Sequence, residues 1–170
     1  MTLLEKLQTP FDEKLVKWKV QTANEKWATC VAYVDSRIVA QKLDECTNGR
    51  WQDEYKEVNG LLICRIGIYS ESLNQWVWRE DTGTESNMDK EKGQVSDAFK
   101  RAAVKWGVGR GLYDLPIINL QTVKNQKSKD VPSYQGKMLF GNSVTGLCRK
   151  LIEKNGTSKD IWFKSNEQTI

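Results

Sequence analysis

Three cations, Lys100, Arg101 and Lys105, crowd together inside the segment from Gln94 to Gly109, beside a run of apolar and aromatic residues. Laid on a helix, Val95, Phe99, Ala102 and Trp106 fall on one face at i, i+4, i+7 and i+11. The cations then project to the flanks and the opposite side. A guanidinium grips phosphate in a bidentate fork, and an ammonium acts as a point charge. Held on a rigid helix, the two kinds of group can neutralise successive phosphates and release counterions, which gives sequence-blind, salt-sensitive binding. The chemistry on offer is the holding of a polyanion.

Covalent chemistry is poorly supplied. The chain contains no histidine, which removes a Ser-His-Asp triad, a Cys-His pair and an imidazole base. It has no G-x-x-x-x-G-K-[ST] loop for a nucleotide triphosphate. Cys30, Cys46, Cys64 and Cys148 are widely spaced with no C-x-x-C pair, so buried free thiols are expected and no metal. Glu54-Tyr55-Lys56 has the E-x-K spacing of some metal-dependent nucleases, with Asp44 or Asp53 as a second carboxylate, and this is one alternative reading. A double-stranded RNA-binding or scaffold module is another. The main expectation is a binding protein without cofactor, not an enzyme.

Charge is unevenly spread. Residues 1–99 hold 13 Lys/Arg against 17 Asp/Glu, whereas residues 100–150 hold 10 against 2. A basic block on a neutral to acidic body predicts a localised anion-binding surface. At 170 residues the expectation is one domain over residues 1–155 and a polar tail over 156–170. No run reaches the ~18 apolar residues of a membrane span, and the N-terminus lacks the features of a signal peptide, so an intracellular, cytoplasmic protein is expected.

The elements that must carry these groups can be read from periodicity. A short helix over Leu3 to Leu7 stops at Pro10. Strands follow at about Leu15–Val20 and Trp27–Val34, then a helix from an Asp35 cap to Cys46, closed by Asn48-Gly49. Trp51 to Val58 reads as a polar edge strand, Asn59-Gly60 as a hairpin turn, and Leu61 to Tyr69 as a central strand. Trp76 and Trp78 share a face of the next strand. They are read as core packing against the long helix, with a base-stacking platform as the functional alternative. The long helix runs from about Met88 to Trp106. Gly107, Gly109 and Gly111 follow a helix and not a strand, so they read as helix termination and not as a dinucleotide fingerprint. Beyond Pro116 come a strand at Ile117 to Val123, a mobile basic loop at 124–130, a last helix through Glu153, and Trp162-Phe163 as exposed aromatics.

The order strand, strand, helix, three-stranded meander, long helix resembles the annealing domain of the eukaryotic Rad-fifty-two recombination proteins and their Sak-type phage counterparts, from about Tyr33 to Leu115. Three segments carry the likeness: Tyr33-Val34-Asp35-Ser36-Arg37-Ile38-Val39 with Asn48-Gly49-Arg50-Trp51; Glu80-Asp81-Thr82-Gly83; and Ser96-Asp97-Ala98-Phe99-Lys100-Arg101-Ala102 continuing to Trp106-Gly107-Val108-Gly109. The resemblance implies an α+β fold, a β-β-α-β-β-β-α core with an antiparallel meander packed on a long helix, assembled into a ring. It also implies ATP-independent binding of single-stranded DNA and annealing of complementary strands in recombination or repair. The family's DNA-contacting Lys-Arg pair falls on Lys100 and Arg101, its early helix arginine on Arg37, and a lysine two turns before the pair on Lys92. A further cationic position of the family is Val104 here, with Lys105 beside it as a substitute, and Arg110 completes the candidate set.

Each cation also has a structural explanation: Arg101 pairing with Asp97, Arg37 pairing with Asp35 or another subunit, and Lys105 and Arg110 as solvated charge near a helix C-terminus. Candidate partners are single-stranded DNA, further copies of the chain, and a single-strand-binding protein or an exonuclease, with no membrane.

Overall fold

The computed structural model describes residues 1–84 and 90–166. Met88, expected to open the long helix, lies outside the described residues. The chain parts into two compact units, Met1–Phe11 with Val34–Gly111, and Asp12–Tyr33 with Leu112–Ile170.

In the first unit, helix α1 (Leu3–Gln8) opens with a capping box: the Thr2 hydroxyl accepts from Glu5 N, and Thr2 N donates to the Glu5 carboxylate. Helix α2 (Ser36–Thr47) starts after Asp35, whose carboxylate makes no capping hydrogen bond, and ends where Asn48 turns left-handed at φ 53°. Strands β3 (Trp51–Val58), β4 (Leu61–Ser70) and β5 (Gln75–Thr82) form an antiparallel meander in that order. Asn59 and Gly60, at φ 51° and 77°, give the pair of positive φ angles that a tight two-residue hairpin turn requires.

Register fixes the two faces of this meander. Trp51 pairs with Ile68, Asp53 with Ile66, Tyr55 with Cys64, and Ile66 with Arg79, so these side chains share one face. Helix α3 (Lys90–Lys105) covers that face. Phe99, Ala102, Ala103 and Trp106 are buried with Ile66 and Ile68, and the Trp106 indole N–H donates to the Ile66 carbonyl at 3.0 Å. Each large side chain so buried contributes roughly 1.5–3 kcal/mol. Val95, expected in the same buried stripe, is instead 42% exposed. Its side chain borders an opening that Ser36, Trp51 and Tyr55 also line.

The two tryptophans of β5 correct a second expectation. Trp78 pairs with Gly67 and Trp76 with Tyr69, which places them on the face away from α3. Trp78 lies flat on Gly67, where a Cβ would come within 2.8 Å of the ring, and the Arg65 guanidinium stacks on it at 3.9 Å. Two residues at i and i+2 must share a face, but which face depends on register.

The second unit is built on strands β1 (Lys17–Ala23) and β2 (Trp27–Tyr33), which pair with each other, while β2 also pairs with β6 (Ile118–Lys124). Strands β7 (Asp130–Tyr134) and β8 (Lys137–Met138) extend the sheet, and β9 (Ile161–Phe163) runs parallel to β6. Helix α4 (Asn142–Asn155) packs Val144, Leu147, Cys148 and Leu151 onto Trp18, Cys30, Ile118 and Leu120. It also serves the main chain of β1. The buried Thr145 hydroxyl accepts from Trp18 N at 3.0 Å and donates to Trp18 O at 3.2 Å, and the Arg149 guanidinium donates to Lys14 O and Val16 O.

The fold is thus mixed α+β with antiparallel sheets and, among the described residues, four α-helices. The order β-β-α-β-β-β-α is present, but β1 pairs with β2 and β2 with β6, in a sheet separate from the meander. The basic segment 124–130, expected as a loop, carries hydrogen bonds and an ion pair of its own. The Asn125 side chain accepts from Lys127 N and Lys129 N, and Lys124 pairs with Asp130 at 2.8 Å, closing the turn from β6 to β7. Within the stretch expected as a polar tail, Trp162 is exposed but Phe163 is buried as part of β9.

Candidate nucleic-acid interface

Helix α3 distributes its cations over two flanks. Lys92, Ser96 and Lys100 recur every four residues and face the start of α2. Asp97, Arg101 and Lys105 form the neighbouring row, toward the end of β5. The adjacent residues Lys100 and Arg101 therefore diverge. The Lys100 ammonium lies 3.4 Å from the Val34 carbonyl oxygen, just ahead of α2. The Arg101 guanidinium, 43% exposed, lies 3.8 Å from the Asp81 carboxylate of β5. Asp97, the partner expected for Arg101, is engaged elsewhere: its carboxylate accepts from Thr84 N at 2.8 Å and Thr84 Oγ1 at 3.1 Å.

The first flank opens on a groove of about 550 Å³. Ser36, Arg37 and Ala40 of α2 line one side, and Lys92, Val95, Ser96 and Phe99 of α3 the other. Trp51, Asp53 and Tyr55 of β3 line it as well. The structure thus brings Arg37 and Lys92 to one opening, both exposed, with Lys100 one turn beyond Ser96 on the same row of α3. Trp51 is held from two sides: its indole N–H donates to Asp44 at 2.6 Å, and its ring packs at 5.9 Å from Phe99. Burial pushes the Tyr55 phenol well above its ordinary value, with Cys64 and Asp53 adding to the effect. Burial likewise raises the Cys64 thiol to about 11. Both groups therefore stay protonated at neutral pH.

Lys105 and Arg110 stand at the other end of α3. Lys105 is exposed, and Arg110 donates to the Val104 carbonyl at 3.1 Å, closing the last turn of the helix. Arg79 was not among the sequence candidates. It donates to the Lys105 carbonyl at 2.6 Å and stacks at 4.4 Å on Trp106, adding positive charge beside Lys105. Its alternation with Asp81 on β5 was the available signal.

The E-x-K nuclease arrangement does not assemble. Glu54 and Lys56 face away from α3, paired with Arg65 at 3.5 Å and Glu80 at 3.2 Å. Asp53 faces the groove on the opposite side of the sheet, and Asp44 is bound to Trp51. Among the described residues no group of three or more His, Cys, Asp or Glu side chains is placed to hold a metal ion. No described helix is long and apolar enough to cross a membrane.

Comparison with known proteins adds an independent finding. Residues 1–131 match the family model described as Rad52/22 family double-strand break repair protein. The chain is 38% identical over 116 residues to the single-stranded DNA-binding protein DdrA of Deinococcus radiodurans, covering 66% of this chain and 55% of that one. It is 37% identical over 116 residues to the protein of the same name from Deinococcus deserti, covering 66% and 57%. The chain spans about half the length of these curated relatives. No solved structure matches it.

Proposed function

This chain belongs to the Rad52/22 family of double-strand break repair proteins, and on that premise we propose that it binds single-stranded DNA and anneals complementary strands without ATP during recombination or repair. The observation that carries the reading is the cationic helix α3, with Lys92 and Lys100 on one flank, Arg101 and Lys105 on the other, and Arg37 across the groove. The name borne by its two Deinococcus relatives supports the same ligand.

The physical account starts with phosphates. A single strand laid along α3 meets cations whose backbone positions are fixed by the buried seam of Phe99, Ala102 and Trp106. Each phosphate neutralised releases counterion, so affinity is largely electrostatic and blind to sequence. Arg101 is available because its ion pair with Asp81 is long and half-exposed, and such a pair holds an arginine by only about 0.2–1 kcal/mol. In a ring, copies of this site follow one another along a single extended strand. The contacts add up, and part of the cost of aligning two flexible chains is met before pairing. Nothing in this process consumes a nucleotide.

A pairing assay tests the proposal. Two complementary oligonucleotides are mixed with protein in the absence of nucleotide and metal. Wild type accelerates duplex formation, and Lys100→Ala/Arg101→Ala loses the acceleration while keeping its fold by circular dichroism. Equal rates for the two proteins would remove this pair from the site. Light scattering tests assembly, and a strict monomer at micromolar concentration would count against the ring.

A further inference from the structure

We infer that the groove between α2 and α3 is a nucleobase pocket, which takes one base of a bound single strand while the phosphates sit against the helices. This deepens the single-stranded DNA reading and rests on it.

Charge orients the occupant. Arg37 of α2 and Lys92 of α3 line the groove on the helix sides and Asp53 lines it on the β3 side, all three exposed. A phosphate is drawn to the two cations and repelled by Asp53, so the anionic part of a nucleotide sits against the helices and its neutral part lies over β3. The remaining walls suit a flat aromatic ring: Trp51, Tyr55 and Phe99 supply aromatic surface, with Val95 and Ala40 beside them. The volume, about 550 Å³, lies inside the ~300–1,000 Å³ of small-molecule sites and leaves room for a base with part of its sugar.

The walls are also set in advance. Trp51 is fixed by Asp44 and Phe99, so a base meets a surface that need not be ordered on binding. The Asp53 carboxylate accepts hydrogen bonds, which suits the amino edge of a base. Val95 stays 42% exposed at the wall where a ring would cover it.

The test separates base from phosphate. Binding of a labelled oligodeoxycytidylate is compared by fluorescence anisotropy with binding of an abasic strand of equal length and charge. Stacking of a single base corresponds to at least about fivefold in affinity, so wild type is expected to prefer the base-bearing strand by that factor or more. Tyr55→Leu removes an aromatic wall, and Val95→Trp fills the groove from an exposed position that tolerates a larger side chain. Both variants are expected to lower affinity for the base-bearing strand toward the abasic value and to leave abasic binding unchanged. If wild type binds the two strands equally, the pocket is refuted while phosphate binding stands. If it binds neither, the single-stranded DNA reading fails and the pocket fails with it. If the groove variants change the oligomeric mass and not the base preference, a second copy occupies the groove and the inference is overturned.

Discussion

Replacing Gly83 by alanine tests how tightly the end of β5 is clamped to the cationic helix. Gly83 is buried, and a Cβ there would come within 2.8 Å of Ala98 N and 2.9 Å of Ala98 Cβ, and closer still to the Gln94 carbonyl oxygen. Two of these three neighbours are backbone atoms of α3, which cannot rotate away as a side chain can. The methyl must therefore push the strand end off the helix, at the roughly 1–3 kcal/mol usual for overpacking. The displacement also pulls at Thr84, whose N–H and hydroxyl both bind Asp97 on α3. Loss of one hydrogen bond to a charged group adds about 1.5–3 kcal/mol, discounted because Thr84 is exposed. A total near 3 kcal/mol lowers Tm by roughly 6–12 °C for a chain of this size. Thermal unfolding followed by circular dichroism and by tryptophan fluorescence measures it. A Gly83→Ala protein within about 0.5 kcal/mol of wild type would refute the claim that β5 and α3 meet backbone to backbone here.

Asp81→Asn is expected to act in the opposite sense to the loss of a cation. It removes the carboxylate 3.8 Å from Arg101, and releasing a half-exposed, long pair of about 0.2–1 kcal/mol tightens single-stranded DNA binding by up to about fivefold at low salt; unchanged or weaker binding in anisotropy titrations would contradict this. Thr145→Val leaves the Trp18 N–H and carbonyl without their hydroxyl partner in a buried setting. The expected loss is about 1–3 kcal/mol in urea unfolding, and a neutral result would show that α4 does not secure β1 in this way. Alkylation by iodoacetamide at pH 8 should modify Cys46 first, since Cys30, Cys64 and Cys148 are buried. The Cys64 thiol, raised to about 11 by burial, becomes reactive only as pH climbs toward that value. Peptide mapping that finds Cys64 labelled as fast as Cys46 at pH 8 would contradict its placement.

Local signals carried much of this architecture. The Asn59-Gly60 turn, the Asn48-Gly49 helix end and the apolar run of β4 each depend on neighbours in sequence, and each stands where periodicity and turn chemistry put it. The misreadings share a different cause. The face that Trp76 and Trp78 take is not legible within β5, because cross-strand register, set by pairing with Tyr69 and Gly67, is not encoded in that strand itself. Val95 obeys the helical period but borders the open groove beside α2, whose position no helical period gives. The pairing of β2 with β6 spans some ninety residues (Thr29 with Asn119), and no local pattern announces a partner so distant. Part of the candidate site was visible in the same way. The cations of α3 could be read directly, but their division into two flanks depends on where α2 and β5 lie. The lining of the groove by Trp51, Asp53 and Tyr55 became legible only once Ile66 and Ile68 were known to face the helix.

The salt dependence of single-stranded DNA binding tests the central claim most directly. Log affinity is measured against log salt concentration for wild type and for Lys100→Ala/Arg101→Ala, with an oligonucleotide of one site length. Each phosphate contact on a single strand contributes about 0.7 to the slope, so the double variant should bind more weakly and show a slope shallower by about 1.4. Superimposable lines for the two proteins would mean that α3 does not grip the phosphates, and the account would be wrong.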